Sequence, residues 1–258
     1  MKRFIRPNSS GPSAGVVTDR FVFTAASAID PATMKRVPEA DTIGGELRVI
    51  LDRITGVLAE DGLTLADLTK ITVWLSEERY RFEFIPAYVE FMPGAPYPSR
   101  GLFTIGLPGD CRLQIDAIAA RRTPAEDAPD AAPEVTYLDA PFVGAVCGFS
   151  PGADAGDLVY ADATALDHPG LGRVAGAESI AAETNVCLDR IEQTLAQAGL
   201  ALTDIVKVNS YLSDDSYRDE FWAAFDRRFC PGPNPVRLTQ VCDLAGAARV
   251  LLDVTAAR

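Results

Sequence analysis

The sequence predicts an α+β protein built of two tandem domains of one fold, and three observations carry that prediction. Residues 51–76 (LDRITGVLAEDGLTLADLTKITVWLS) lie over residues 188–213 (LDRIEQTLAQAGLALTDIVKVNSYLS) without a gap, matching at 13 of 26 positions. Chance supplies roughly one or two matches in such a window, so the likeness marks a duplicated domain. The same offset of 137 residues pairs Arg100 of YPSRGLFTIG with Arg237 of NPVRLTQVCD, Asp116 with Asp253, and FVFTA (21–25) with LVYAD (158–162). Finally, helical and β-like patterns follow one another in the same order in both halves.

In the first half, residues 20–28 (RFVFTAASA) are rich in β-branched and aromatic side chains and read as a strand. From Asp41 onward, Leu47, Ile50, Leu51, Ile54, Val57 and Leu58 recur every three or four residues, which predicts an amphipathic helix ending before Gly62. Residues 69–76 alternate as a strand does. Tyr80, Phe84, Tyr88 and Phe91 then form an aromatic stripe at helical spacing, stopped by Pro93-Gly94, and such a stripe is core packing. Residues 100–106 and 112–120 complete the copy as two strands joined through LPGD. The second copy predicts helices near 178–198 and 216–229 and strands at 205–213, 237–244 and 249–256. Two helices therefore cover one face of a mostly antiparallel sheet in each domain. Strands such as IDAIAA and LDVTAA are apolar on both sides, so the other face also needs cover, and further copies of the fold are the economical source.

The boundaries follow: a first domain at 1–122, a linker at 123–134 within the Pro-, Ala- and acid-rich RRTPAEDAPDAAPE, and a second domain at 135–258. Each domain is long enough to bury its own core. With 24 basic against 36 acidic residues the formal charge is −12, which argues against nucleic-acid or anionic-membrane binding. Local charge in a cleft still permits an anionic small molecule. No apolar run reaches bilayer-spanning length and MKRFIRPNSSG lacks a signal-peptide core, so the expected location is cytoplasmic. Five cysteines without a C-x-x-C pair are expected to be reduced thiols. The sequence holds no metal-ligand cluster, phosphate loop or dinucleotide fingerprint, so no metal and no cofactor is expected.

G-x-S-x-G occurs at Gly11–Gly15 and again at Gly148–Gly152. A hydrolase elbow needs a strand before the serine, a helix after it and a histidine within reach. Here the motif precedes a strand, and the chain has one histidine, His168, so both copies read as turns. His168 lies in the Pro/Gly-rich ALDHPGLG, where a solvated loop histidine is the default. Arg100 and Arg237 are more informative. Each follows a Pro-x step and opens a strand, which holds a planar guanidinium fork on stiff backbone at a sheet rim. Such a fork either grips a carboxylate ligand or pairs with a neighbouring acid. Asp116 and Asp253 lie on the final strands, facing the same way as Gln114 and Leu251.

These residues together resemble the RidA/YjgF-type enamine and imine deaminases. The likeness rests on Gly11-Pro12 before the first strand and on the helix-ending A-x-x-G-L. It rests also on Asp67 to Ser76 and Asp204 to Ser213, on Pro98-Ser99-Arg100 and Pro235-Val236-Arg237, and on the closing IDAIAARR. The resemblance implies two tandem chorismate-mutase-like domains, homo-oligomers with trimers favoured, and sites in clefts between neighbouring domains. It gives Arg100 and Arg237 the role of binding a substrate carboxylate. The family's water-positioning glutamate falls on Gln114 in the first copy and Leu251 in the second, and its early tyrosine falls on Ser13, with Ser150 opposite in the repeat. The implied function is a hydrolytic deaminase or related hydrolase acting on a small carboxylate-bearing imine, enamine or cyclic compound. Arg100 then anchors the carboxylate, Gln114 and Asp116 orient water, and Ser13 lines the pocket, with Arg237 and Asp253 as the second set. Hydrolysis of C=N needs a proton acceptor that glutamine and leucine cannot supply. The alternatives are therefore a non-catalytic carboxylate-binding or regulatory module, or a hydrolase of chorismate-like or heterocyclic rings.

Overall fold

The computed structural model describes residues 2–5, 12–121, 135–139, 148–168 and 170–258; the expected linker and Gly11 lie outside the described residues. The first domain runs β1 (Arg3–Ile5), β2 (Gly15–Val17), β3 (Phe21–Ser27), a hairpin of β4 (Ile29–Asp30) and β5 (Lys35–Arg36), then α1 (Ile43–Leu58) and β6 (Leu68–Leu75). It closes with α2 (Arg81–Phe91), β7 (Ser99–Thr104) and β8 (Leu113–Ala120). The second domain contains β9 (Thr136–Leu138), β10 (Gly152–Asp154), β11 (Leu158–Thr164), α3 (Ile180–Gln197), β12 (Ile205–Leu212), α4 (Arg218–Phe229), β13 (Val236–Val241) and β14 (Val250–Ala257).

The two sheets have the orders β1-β2-β3-β8-β6-β7 and β9-β10-β11-β14-β12-β13, so they correspond strand for strand. Within the described sheets β6–β7 and β12–β13 pair in parallel, because a helix crosses over between them. The short strands β1 and β2 escape sequence reading since three residues are too few to display alternation. The long helices obey their periodicity. Thr42 caps α1 by accepting from Gly45 N at 2.9 Å, and all six predicted apolar positions are buried.

A buried glutamate fastens each first helix to its sheet. Glu46, wholly inaccessible, accepts from the backbone N–H groups of Arg112 (3.0 Å) and Leu113 (3.1 Å) and from Arg112 Nε (2.9 Å). Glu183 repeats this with Arg249 N (2.7 Å), Val250 N (3.0 Å) and Arg249 Nε (2.7 Å). A buried carboxylate is tolerable only with donors on every side, and here the neighbouring strand end supplies them.

The sheet faces away from the helices meet across a seam. Here the sister domain provides part of the cover that the two-sided apolar strands require. Phe103 and Trp74 pack on Tyr211, with ring centroids 3.8 and 6.3 Å away. Thr104 and Asp243 exchange backbone hydrogen bonds of 3.2 Å, and Lys70 forms a buried ion pair with Asp253. The consequence is unequal: β7 is buried along its whole length, while its counterpart β13 leaves Val236 73% and Leu238 52% exposed. Among the described residues no helix is long and apolar enough to cross a membrane.

Candidate functional site

Arg100 opens β7, and the alternation of a strand turns its side chain opposite to that of Ser99. Its register partner is Ile71, so it shares the helix-facing side of the sheet and runs under α2. The guanidinium lies 5.8 Å from the Phe84 ring and 5.1 Å from that of Tyr88, both on α2. From the other domain, Phe149 stands 5.1 Å away and Gly148 O accepts from Nη1 at 3.3 Å. Three rings around one cation form a box whose walls belong to both domains. Inside it the Tyr88 hydroxyl is buried and has no hydrogen-bond partner among the described residues. Burial pushes this phenol upward, partly opposed by the neighbouring Arg100 charge.

Gly148 makes the close approach possible. Its φ of +66° is left-handed, and a Cβ there would meet Val89 Cγ2 at 2.7 Å and Tyr88 Cδ1 at 3.4 Å. Gly148→Ala is therefore expected to cost about 2 kcal/mol or more, from the left-handed penalty plus overpacking against α2. Gly172→Ala, where a Cβ meets nothing within 4 Å, is the control in urea unfolding. Equal midpoints for the two variants would contradict this account of the seam.

On the opposite face of β7, Ser99 Oγ donates to Asp162 Oδ2 at 2.7 Å. Burial lifts the Asp162 carboxyl to about 7; Asp253 reinforces the rise, while Ser99, Lys70 and Arg100 oppose it. The unfolded chain ionises this group near the usual carboxylate range, whereas the folded chain keeps its proton to about 7. Stability is thus lost as pH rises through that window. Asp162→Asn should flatten the pH dependence, so that its advantage over the parent in urea unfolding grows from pH 5 to pH 8. An advantage that shrinks with pH would reverse the assignment.

Within this single chain the sequence-predicted residues lie on different faces and strands. Gln114 and Asp116 pair with Trp74 and Thr72 across β6, on the face away from α2, and line a depression of about 230 Å³ with Ala25, Ser27 and Trp74. Arg100 is on the other side of the same sheet, so within one domain it does not face Gln114 and Asp116. Burial raises the Asp116 carboxyl, against hydrogen bonds from Trp74 and Thr72. Ser13 precedes β2, four strands away from β7 in the sheet order. Its repeat mate Ser150 takes the expected place, bridging to Ser99 and donating its N–H to Pro98 O at 3.3 Å. The physical reason is that the second domain's turn, not the first's, enters the groove beside β7.

Arg237 and Asp253 are likewise separated. Arg237 pairs with Val208 in register and Asp253 with Asn209, which sets them on opposite faces. Asp253 is held by Lys70, whereas Arg237 Nη1 bonds Asp226 Oδ1 at 2.8 Å. Position 226 corresponds to Val89 in the first copy, and Tyr88 corresponds to Phe225. An acid thus pairs with the second guanidinium, at the position where the first copy has Val89. Sequence reading takes His168 for a solvated loop histidine. It is half-buried, with its ring edge-on to Phe149 at 5.8 Å, the same ring that flanks Arg100 at 5.1 Å. Among the described residues no three His, Cys, Asp or Glu side chains gather as a metal site would require.

Duplicated α+β domains with an arginine box at their seam define a two-domain protein of chorismate-mutase-like fold. A family model described as Endoribonuclease L-PSP matches residues 140–257. A RutC family protein of Pyrococcus horikoshii is 31% identical over 116 residues, covering 44% of this chain and 90% of that protein. TdcF of Escherichia coli, named as a candidate reactive intermediate deaminase, is 29% identical over 129 residues, or 47% of this chain and 98% of the relative. The crystal structure of a chorismatase matches 97% of this chain and 78% of its own with a TM-score of 0.68; at 14% identity this is likeness of fold. The chain belongs to the RidA/YjgF family.

Proposed function

We propose that the protein is a cofactor-independent hydrolase acting on a small carboxylate-bearing imine or enamine in the cleft between its domains. The observation that carries this reading is the Arg100 guanidinium, held between Phe84 and Tyr88 of one domain and Gly148 and Phe149 of the other. A carboxylate laid against this fork gains two charge-assisted hydrogen bonds, and the buried Tyr88 hydroxyl gains an acceptor. The rings exclude water and so strengthen each contact. Ser150, whose backbone bridges to Ser99 beside Arg100, is assigned the role of offering a hydroxyl to the substrate.

The duplication supports a single working site. A tandem chain lets its copies diverge, and Asp226, which pairs with Arg237, stands where the first copy has Val89. The test is ammonia release from imino acids generated in situ by an amino-acid oxidase. The protein should accelerate release for at least one small side chain; release at the uncatalysed rate across a panel of side chains would overturn the reading.

A second reading is favoured by one observation. Leu251, where the family resemblance places the water-positioning acid, is buried with Phe103, Tyr211 and Leu166 in the seam. Leucine activates no water, so a module that binds carboxylates without turnover is the alternative. It predicts that 2-oxobutyrate raises the melting temperature through Arg100 while ammonia release stays at background.

A further inference from the structure

The Arg100 cleft can hold an anion but, with Leu251 in the seam, needs a group that moves protons. We propose that His168 is that group: its imidazole serves as the acid–base residue of the Arg100 cleft. This assignment rests on the imine-hydrolase reading given above.

The geometry is specific. Phe149 is the shared wall, with the Arg100 guanidinium 5.1 Å from its ring and the His168 ring edge-on at 5.8 Å and 73°. A molecule whose carboxylate meets Arg100 can therefore extend its reacting carbon past Phe149 toward the imidazole.

The loop that carries His168 is tied rather than loose. Asp167 N donates to Gly172 O and Leu171 N to Asp167 O, both at 2.7 Å, and Leu166 bridges to Arg173. Below it, Arg190 Nη1 donates to Leu166 O at 2.8 Å, and Ala247 N donates to Leu171 O at 3.0 Å. Such anchoring preorganises a reacting group.

The charges facing the ring are Arg190, Arg100 and Asp167. Burial first, then the two arginines, lower the imidazole's pKa, while Asp167 opposes them. The ring is thereby kept neutral near pH 7, able to accept a proton.

The chemistry balances. As water adds to the C=N carbon, the imidazole takes one water proton and passes it to the nitrogen, giving a neutral carbinolamine. It then takes the remaining hydroxyl proton as C=O forms and gives it to the departing nitrogen. One water is consumed, and one oxo acid and one ammonia leave.

His168 is the only histidine of the chain, so its ring resonances identify themselves. In NMR titrations, 2-oxobutyrate should raise the His168 midpoint, because a bound carboxylate places negative charge beside the ring. Arg100→Ala should abolish that rise. In turnover, His168→Gln should lower kcat about 100-fold with KM within twofold, and added imidazole should partly restore His168→Gly.

Wild-type turnover in His168→Gln, alongside loss in Arg100→Ala, would overturn this assignment and leave the hydrolase reading standing. So would a His168 titration indifferent to 2-oxobutyrate that nonetheless stabilises the protein through Arg100. Absence of imine turnover in the parent chain would remove the hydrolase reading itself, and this assignment with it.

Discussion

Arg100→Ala should lower kcat/KM for a carboxylate-bearing imine on the order of 100-fold or more and abolish thermal stabilisation by 2-oxobutyrate. The magnitude follows from truncating one partner of a buried, hydrogen-bonded charge pair, which costs about 2–5 kcal/mol. Arg237→Ala should leave both properties close to the parent's, because that guanidinium is already bonded to Asp226 at 2.8 Å. The contrast between the copies is the informative part. Arg100→Lys should recover little, since an ammonium presents no planar fork to a carboxylate. Steady-state ammonia release and differential scanning fluorimetry suffice to measure all three. Equal losses at Arg100 and Arg237 would mean that both boxes work.

Lys70→Met should destabilise the chain by about 3–5 kcal/mol, seen as a melting temperature lower by roughly 10 °C. Lys70 reaches across the seam to Asp253, and the side chains are 10% and 3% exposed. Its ammonium also lies 5.4 Å from the Tyr160 ring. Removing it leaves the Asp253 carboxylate buried beside Asp162, whose proton is already retained by burial. The double variant Lys70→Met/Asp253→Leu should regain most of the loss, because apolar residues of similar volume replace a buried pair at little cost. If the single variant melts with the parent, the seam is not held by this pair.

Much of the fold was legible because it is written in repeats and periods. The 137-residue offset survives in the two sheet orders, and α1 and α3 bury the positions their spacing nominates. The placement of Arg100 was legible too, from a Pro-x-Arg step at a strand start. The company it keeps was not. Whether Asp116 shares its face depends on register across β6, which no local pattern encodes. The exchange of Ser13 for Ser150 depends on which domain's turn docks beside β7, a tertiary outcome. His168 looked like a solvated loop residue because its contact with Phe149 is tertiary and no local pattern encodes it.

One signal was present and unread. At the 137-residue offset, Val89 stands against Asp226 and Tyr88 against Phe225, and these changes fall one helical face from the arginines. They foretell unequal boxes without any coordinates.

The groups around Arg100 come from both domains and travel on one polypeptide. Association is then unimolecular, governed by an effective concentration that the tether sets rather than by how much protein the cell contains. Activity per chain should hold constant down to nanomolar dilution, where a cleft shared between separate subunits would come apart.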